Sequence, residues 1–343
     1  MLSSRTETIL RSTVEQYIAK AIPVSSQTIV NEYDLEISSA TIRNEMARLE
    51  EEGYITRPHS SAGSVPLDKG YRYYVDTLGD IYLPLDKQRL VNHLFHQVEQ
   101  ELEKWLNLAA TLIAQLVQDV AIVTTPRLAS CQFKYLELVT LHDSVALLIL
   151  ILRGAKAKQQ LISFDQAVSQ VEMVNITNKL NAAYAGLTSR QILNKGIELS
   201  PSEQQTTDYL VNMMKNEDKQ DNEELFLYGL HFILNQPEFS QQQRAQALME
   251  LVEYKNLLKS VIPAKLNNKG IQVIIGKENK AEAVHDYSVV ITQYGLPQEA
   301  IGTICVIGPT RMHYAHAIAT VNHLSLVLNR MVTELYESNN INE

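Results

Sequence analysis

The stretch SSATIRNEMARLEEEGYITRPHSSAG, residues 38–63, combines the signals of a short helix with those of an abrupt stop and a turn. Ser38 or Ser39 can cap the first turn of a helix. Apolar residues then recur at helical spacing on one face, namely Ile42, Met46 and Leu49. Gly53 supplies the left-handed residue at which such a helix ends. The stretch therefore predicts an amphipathic helix followed directly by a turn.

Two further helices are predicted upstream of this stretch. Between Arg5 and Lys20, apolar residues fall on one helical face, namely Ile9, Leu10, Val14, Tyr17 and Ile18. Pro23 ends that helix, and SSQTIVNEYD at 25–34 predicts a second, shorter one. Three helices joined by short turns indicate a helix-turn-helix core.

The residues after Gly53 predict two short extended segments. The sequence YITRPHSSAGSVPLDKGYRYYV at 54–75 is marked by proline and glycine, as is typical of a β-hairpin. A helix-turn-helix followed by a hairpin is a winged helix, so residues 1–76 are expected to form a winged helix-turn-helix domain that binds DNA. In such domains the third helix enters the major groove, and flanking residues contact phosphates.

Candidate DNA contacts follow from this arrangement. If the apolar face points inward, the outward face of the third helix carries Ser39, Thr41, Arg43, Asn44 and Arg48. Arginine can bind guanine through two hydrogen bonds, asparagine can do the same with adenine, and hydroxyl groups can contact a base or a phosphate. Potential phosphate contacts on the hairpin side are Arg57, His59, Ser60, Ser61, Lys69 and Arg72.

The charge of the chain limits this interpretation. The net charge is -9, so any contact with nucleic acid must depend on a local patch. Residues 1–76 hold eight Lys or Arg against eleven Asp or Glu. The cations between Arg43 and Arg72 lie on elements that would face DNA, whereas the acidic run at 50–52 lies at the far end of the third helix. A protein-interaction module with the same fold is the alternative.

The same residues resemble the N-terminal signature of the HrcA family of heat-inducible transcription repressors. The opening stretch is followed by KGYRYYVD, and further similar segments occur in the family's order: NQPEFS at 235–240, VIIGKEN at 273–279, YSVVITQYG at 287–295 and GTICVIGPTRMHY at 302–314. The resemblance covers essentially the whole chain. Gln27 and Ser64 depart from it, because the family typically has PVGSRTL and SAGRIP with arginine at these places. These losses are expected to weaken phosphate contacts or to shift operator preference.

The rest of the chain predicts an α+β multidomain protein. Residues 77–104 are expected to hold a linker and a helix, within a helical stripe that runs to Val117 and breaks near Leu106. Strand-like segments occur at CQFKYLELVTLH, SVALLILILR, KQQLISF, GIQVIIGKE, YSVVITQYG and AIGTICVIGP. By resemblance, 105–190 plus 263–338 would form a discontinuous GAF-like mixed α/β domain, and 191–262 an inserted helical dimerisation domain.

Signals of catalysis are weak throughout the sequence. No glycine-rich phosphate loop and no Ser/His/Asp or Cys/His arrangement can be argued, so no catalytic residue, cofactor or metal ligand is predicted and the protein is not expected to be an enzyme. Cys131 and Cys305 are too few for a disulfide framework. The longest apolar run, VALLILIL at 145–152, is too short to cross a bilayer, and no signal peptide is evident. A cytoplasmic location is expected.

The resemblance implies a specific regulatory function. The protein would repress chaperone operons by binding an inverted-repeat operator in double-stranded DNA as a homodimer, depend on the GroEL chaperonin for activity, and be released by heat. A ligand-responsive winged-helix regulator, whose sensor domain binds a small molecule, is the alternative. A third hypothesis is a structural interaction protein that docks through its helical insert.

Overall fold

The computed structural model describes most of the chain, and the described residues are 2–32, 38–59, 61–99, 101–126, 131–142, 144–152, 157–219, 224–239, 270–296 and 300–341. The chain divides into two compact units. The first unit comprises residues 1–125, 225–295 and 302–343. The second unit comprises residues 126–224 and 296–301.

The first unit begins with three helices and a small hairpin. The elements are α1 (Ser4–Lys20), α2 (Ser26–Glu32), α3 (Ser39–Glu51), β1 (Ile55–Thr56), β2 (Val65–Pro66) and α4 (Asp68–Asp76). The three predicted helices are confirmed, and β1 pairs with β2 in antiparallel register through Ile55 and Pro66. The predicted second extended segment ends early, because α4 begins at Asp68 and buries Tyr71 and Tyr74 on one face.

The helical stripe after residue 84 forms two helices, α5 (Leu85–Gln97) and α6 (Leu102–Val117). The interruption therefore lies before Leu102, and the predicted break near Leu106 is wrong. Leu106 is fully buried in the middle of a continuous apolar face of α6. Gln118 ends α6 in the left-handed conformation, and its N–H donates to the Ala114 carbonyl.

A five-stranded sheet forms the centre of the first unit, with strand order β7-β3-β10-β9-β8. Its strands are β3 (Val120–Thr124), β7 (Leu225–Tyr228), β8 (Gln272–Ile275), β9 (Tyr287–Leu296) and β10 (Ala300–Pro309). Two further helices belong to this unit, α10 (Leu230–Leu234) and α11 (Tyr314–Ile341), and are numbered after the three helices of the second unit.

Alternate residues of the central strands enter two different cores, as the two-residue period of a strand requires. Ala121, Val123, Ile304 and Val306 belong to a core that also contains buried residues of α1, α3, α6 and α11. Val120, Ile122, Cys305 and Ile307 belong to a core on the opposite face, which includes Ile233 of α10 and Phe239. Burial on both faces explains why these strands read as continuous apolar runs.

The second unit has its own sheet and its own core. A three-stranded antiparallel sheet is formed by β4 (Phe133–His142), β5 (Val145–Leu152) and β6 (Lys158–Ser163). Its helices are α7 (Gln170–Tyr184), α8 (Ser189–Leu193) and α9 (Pro201–Lys219). Phe133, Leu148, Leu150, Leu180 and Met214 form part of a core that joins one face of the sheet to the helices.

The observed units divide the chain differently from the predicted domains. Strands β4 to β6 were expected in the same sheet as β8 to β10, with the insertion at 191–262, but they form a separate sheet. The ladder between β3 and β7 explains the difference, since Thr124 lies opposite Leu225. The segment 126–224 leaves and rejoins the five-stranded sheet at this pair of residues. Most of the predicted insertion after Phe239, residues 240–262, lies outside the described residues.

Candidate DNA-binding site

Helix α3 has one buried face and is anchored at its start. The Ser38 hydroxyl accepts a hydrogen bond from the Thr41 N–H at 3.2 Å, which caps the first turn. Ile42, Met46 and Leu49 are buried against the other helices, as the sequence predicts. Thr6 of α1 donates to the Glu45 carboxylate at 2.9 Å. The orientation of α3 about its own axis is therefore fixed by both apolar and polar contacts.

The outward face of α3 presents Arg43 and Asn44 to solvent. Both side chains are exposed, and neither has a hydrogen bond or an ion pair with any residue that the structure describes. The two hydroxyl groups nearby already have partners. Ser39 Oγ lies 3.1 Å from Ser26 Oγ, and Thr41 Oγ1 lies 3.0 Å from Ser38 Oγ. Arg43 and Asn44 are consequently available to a ligand without the loss of an existing contact to a described residue.

Two of the three carboxylates in the acidic run at the end of α3 form ion pairs with nearby arginines. Arg48 Nε lies 2.9 Å from Glu52 Oε1, one helical turn away. Arg57 Nε lies 3.2 Å from Glu50 Oε2, and the Arg57 backbone N–H donates to Glu50 Oε1 at 3.1 Å. Both arginines are therefore held at the edge of the α3 surface by carboxylates, which reduce the charge they present to DNA.

The loop between β1 and β2 is fixed to the segment between α1 and α2. Val24 and Ser64 exchange two backbone hydrogen bonds, each of 2.8 Å. A Cβ atom on Gly63 would come within 2.6 Å of the Pro23 carbonyl oxygen, so only glycine fits this contact without displacement of the backbone. His59 and Ser61 are exposed on this loop, whereas Ser60 lies outside the described residues.

Lys69 is exposed but has a structural role. Its Nζ donates to the Glu52 carbonyl at 2.7 Å and lies 4.0 Å from the centroid of the Tyr54 ring. The carbonyl groups in the last turn of a helix lack intrahelical partners, and a cation there also interacts favourably with the helix dipole. Lys69 therefore stabilises the end of α3, and it lies on α4 rather than on the hairpin.

Arg72 points toward the five-stranded sheet. It binds the Glu278 carboxylate with two hydrogen bonds, and its Nη2 donates to the Val273 carbonyl at 2.6 Å. Hydrogen bonding to Glu278 raises the pKa of Arg72, against the opposing effect of burial. On the same helix, the Asp68 carboxylate accepts from the Lys277 N–H at 2.9 Å. The guanidinium of Arg72 thus joins α4 to β8 in this structure.

The two departures from the family pattern lie in different environments. Gln27 is exposed on α2, where its Nε2 donates to Asn31 Oδ1 at 3.0 Å. Ser64 is buried, with 1% of its surface exposed. An arginine at position 27 could extend from the surface, whereas one at position 64 would start from a buried backbone position. The change at position 27 is therefore the one that directly alters the exposed charge.

The structure brings the predicted contacts into two groups. Arg43, Asn44, Arg48 and Arg57 lie on α3 or at the start of the hairpin loop, where Arg48 and Arg57 pair with Glu52 and Glu50 of the same region. Lys69 and Arg72 lie on α4 and contact the end of α3 and β8. The carboxylate partner of Arg72 is not evident from sequence spacing, in contrast to the i,i+4 pair of Arg48 and Glu52. Glu278 lies 206 residues from Arg72, and its only sequence signal is its place in VIIGKEN, one of the segments that resemble the HrcA family.

Comparisons with known proteins place this chain in a family. The model of the HrcA protein C-terminal domain matches residues 103–318. The heat-inducible transcription repressor HrcA of Dehalococcoides mccartyi is 54% identical over 336 residues, which cover 98% of this chain and 97% of that protein. The chain belongs to the HrcA family. A relative of the same name in Roseiflexus castenholzii is 38% identical over 344 residues and covers 98% and 96% of the two chains.

Like the HrcA relatives, one solved structure matches this chain over nearly its full length. The crystal structure of a hypothetical protein at 2.2 Å resolution has a TM-score of 0.59 with 23% identity, and covers 97% of this chain and 98% of its own. That likeness supports the overall fold alone. The names of the HrcA relatives refer to repression of transcription and not to catalysis, in agreement with the expectation that the protein is not an enzyme.

Proposed function

We propose that this protein is a heat-inducible transcription repressor whose N-terminal region is a winged helix that binds an operator in double-stranded DNA. The observation that carries the proposal is the exposed pair Arg43 and Asn44 on α3, opposite a fully buried apolar face. The names of the HrcA relatives support the regulatory function. A recognition helix needs this combination, because the fold must hold its backbone while its outward side chains remain available to bases.

The contacts divide into base contacts and phosphate contacts. Arg43 is assigned to guanine and Asn44 to adenine in the major groove. Ser39, Thr41, Arg48, Arg57 and His59 are assigned to the edge of the surface, where phosphates would lie. Ser60, which lies outside the described residues, is proposed as a phosphate contact from the sequence alone. Lys69 would contribute only its charge, since its amino group is bound to the end of α3. Arg72 is left out of the proposed surface, because its guanidinium is bound to Glu278.

The protein is proposed to bind DNA as a homodimer, because the surface of a single recognition helix is small. One recognition helix contacts too few base pairs for useful specificity, and a two-fold dimer matches an inverted repeat. The second unit offers a surface for self-association, because one face of its sheet is apolar and exposed. Tyr135, Val139 and Leu141 of β4 and Leu161 of β6 have 41–61% of their surface exposed. Exposed apolar patches of this kind are typical of interaction sites.

A second copy of the chain is the proposed occupant of that sheet face. The opposite face of the same strands is already buried in the core of the second unit, through Leu136, Leu138, Leu148 and Leu150. A homodimer that covers the apolar face would remove it from water without a change in this core. This proposal moves the dimer surface from the predicted segment 191–262 to strands within 133–163.

Release by heat is proposed to act through the folded population of the repressor. A loss of about 1 to 2 kcal/mol in stability raises the ratio of unfolded to folded protein about 5- to 30-fold. The GroEL chaperonin would refold the repressor, and unfolded proteins that occupy the chaperonin after heat shock would lower the DNA-competent population. Family likeness supports this part of the proposal.

A salt-dependent fluorescence anisotropy titration tests the DNA-binding function. The purified protein is titrated onto a duplex with the inverted repeat and onto a scrambled duplex, with and without GroEL. Preferential binding to the repeat, lost in the double variant Arg43→Ala with Asn44→Ala, is the expected result. Arg190→Ala serves as the matched control, since Arg190 is exposed on α8 in the second unit.

Each result of this titration has a defined meaning. Equal binding of the two duplexes by the wild-type protein would refute a sequence-specific repressor. Equal losses for the double variant and for Arg190→Ala would remove the assignment of α3 as the reading helix. Absence of DNA binding at low salt by folded protein would favour a structural interaction protein instead.

A further inference from the structure

A cavity of about 280 Å³ lies in the first unit, where the end of α6 meets the segments after α10 and β10. Phe232 and Met312 contribute apolar surface to it. Its polar lining includes Asp119, Gln236, Arg311 and His313. The volume is close to the lower end of the range for small-molecule sites, and the mixture of apolar walls with a few polar groups is typical of them.

Asp119 is the most unusual residue of this cavity, because only 2% of its surface is exposed. Gln236 Nε2 donates to its Oδ1 at 2.8 Å. Its other oxygen, Oδ2, accepts no hydrogen bond from the residues that the structure describes. Burial raises the pKa of Asp119 to about 7, although Gln236 and Arg311 favour the charged form. The charge of Arg311 acts on this carboxylate, but no cationic side chain of the described residues forms an ion pair with it.

The other two ionisable side chains that line the cavity, Arg311 and His313, add no unpaired charge to it. Arg311 Nε lies 2.6 Å from Glu238 Oε1, and its Nη2 lies 3.2 Å from Glu238 Oε2. Burial lowers the pKa of His313, and the charges of Arg311 and His316 lower it further, so this imidazole is neutral at pH 7. The remaining charge of the lined cavity is that of ionised Asp119.

A chain of hydrogen bonds leads from the cavity to α1. Gln236 uses its amide nitrogen for Asp119 and its amide oxygen for Arg311, whose Nη2 donates to it at 3.2 Å. Arg311 Nη1 in turn donates to the Ile18 carbonyl in the last turn of α1 at 2.9 Å. That carbonyl lies in the turn that lacks intrahelical partners, so Arg311 caps α1 from the cavity side.

We infer that this cavity is an effector site for a small ligand with an ammonium or amidinium group, with the Asp119 carboxylate as its counter-ion. The apolar part of the ligand would pack against Phe232 and Met312. Because Gln236 bonds to both Asp119 and Arg311, occupation of the cavity would also strengthen the cap on α1. The site would make the protein ligand-responsive, and its existence does not depend on the proposed DNA-binding function.

Thermal unfolding with a simple probe tests this inference. The midpoint temperature of unfolding of the full chain is measured at increasing concentrations of n-butylammonium chloride and at constant ionic strength. 1-Butanol serves as the uncharged control. We expect a saturable rise with the ammonium probe alone, because a ligand that binds only the folded state stabilises it by mass action. Hydrogen exchange in residues 14–24 should slow when the probe is bound.

Substitution of Asp119 and a change of pH test whether binding of the probe depends on the Asp119 carboxylate. Asp119→Asn should weaken binding of the probe at least tenfold, whereas Asp80→Asn, at an exposed position, should leave it unchanged. Binding should be about tenfold tighter at pH 8 than at pH 6, because the carboxylate is mostly protonated below a pKa of about 7. A pH-independent affinity would contradict the role of Asp119 as counter-ion.

The test also covers a variant that fails to fold. If circular dichroism shows that Asp119→Asn is unfolded, Asn235→Trp replaces it, since Asn235 lies on the exposed rim of the cavity and a large side chain there would block entry. Loss of the probe effect in Asn235→Trp would support the site. Absence of a saturable shift in the wild-type protein, or an equal shift in either cavity variant, would overturn the inference.

Discussion

Helices α3 and α4 both carry arginine residues that sequence analysis assigns to DNA, but the fold gives these residues different surroundings. Arg43 on α3 is exposed and has no partner among the described residues, whereas Arg72 on α4 binds Glu278 and the Val273 carbonyl. The difference shows that the role of an arginine depends on the acceptors within reach of it. Contacts with Glu278 and Val273 use three of the five N–H donors of the Arg72 guanidinium, and Nη1 lies 3.5 Å from Asp76 Oδ1, so little capacity is left for a phosphate.

DNA recognition and fold stability are assigned to different helices. α3 presents Arg43 and Asn44 to solvent, and neither has a partner among the described residues. α4 instead contacts β8 and the residue after Gly276 through the Arg72 donor and the Asp68 acceptor. Substitutions of the exposed residues Arg43 and Asn44 on α3 should therefore change DNA binding with little change in the free energy of unfolding. Substitutions on α4 should do the reverse, and four predictions test this separation.

Arg43→Ala is expected to have the largest effect on DNA binding. Loss of a bidentate base contact should cost about 1 to 3 kcal/mol in operator affinity. The free energy of unfolding should change by less than about 0.5 kcal/mol, because the side chain is exposed and has no described partner. Anisotropy titration and urea denaturation measure the two quantities. A large loss of stability in this variant would mean that Arg43 supports the fold instead.

Arg72→Ala should destabilise the protein by about 1 to 2 kcal/mol, because the Glu278 carboxylate loses its charged partner and the Val273 carbonyl loses the Arg72 donor. Partial exposure of the ion pair keeps the expected value in this range. Operator affinity of the folded variant should stay within about twofold of wild type. A double-mutant cycle with Glu278→Gln isolates the coupling. Additive losses would show that the two residues do not act together.

The stability of the α4 contact should depend on acid pH. Burial alone would raise the pKa of Glu278, but hydrogen bonds from Arg72 and from the Ile275 N–H, with the charge of Arg72, bring it below the usual 4.5. The stabilisation is thus present above that value and is lost as the pH falls through the lowered pKa. Urea denaturation between pH 6 and pH 3 should show a steeper loss for wild type than for Glu278→Gln. Parallel curves would refute the linkage.

Glu50→Gln should have the smallest effect, a gain of about 0.3 to 1 kcal/mol in binding to random DNA. The substitution releases Arg57 Nε from its ion pair, while the glutamine oxygen can still accept the Arg57 backbone N–H. Glu51→Gln is the matched control, because it changes the net charge equally and Glu51 has no ion pair among the described residues. An equal gain in both variants would show that only net charge matters.

The three N-terminal helices and most strands could be predicted because their signals are local. The capping residue Ser38 and the spacing of Ile42, Met46 and Leu49 are sufficient to predict α3, and the structure confirms its cap and its buried face. α4 was missed, because Pro66 and Gly70 are typical of turns while the burial of Tyr71 and Tyr74 depends on tertiary contacts. The short strand β7 was missed for a similar reason, since its pairing with β3 is not local.

The candidate site could be predicted only in part. The residue types and spacing of α3 identify its outward face, and the resemblance to the HrcA family supports the regulatory function. The partners Glu278 and Val273 of Arg72 are distant in sequence, so no spacing rule finds them. Asp119 gave no signal at all, because its significance lies in its burial beside Gln236 and Arg311.

The sequence by itself determined the three N-terminal helices, their apolar faces and the family of this protein, because these depend on residue order and local periodicity. Only the tertiary structure decided which strands share a sheet, which arginines have a partner among the described residues and where a carboxylate is buried. Strand pairing between Thr124 and Leu225 encloses the whole segment 126–224, and such long-range pairing has no local signature. The role of a charged side chain likewise has no local signature, because the charge interacts with the groups that the fold places within a few ångströms of it.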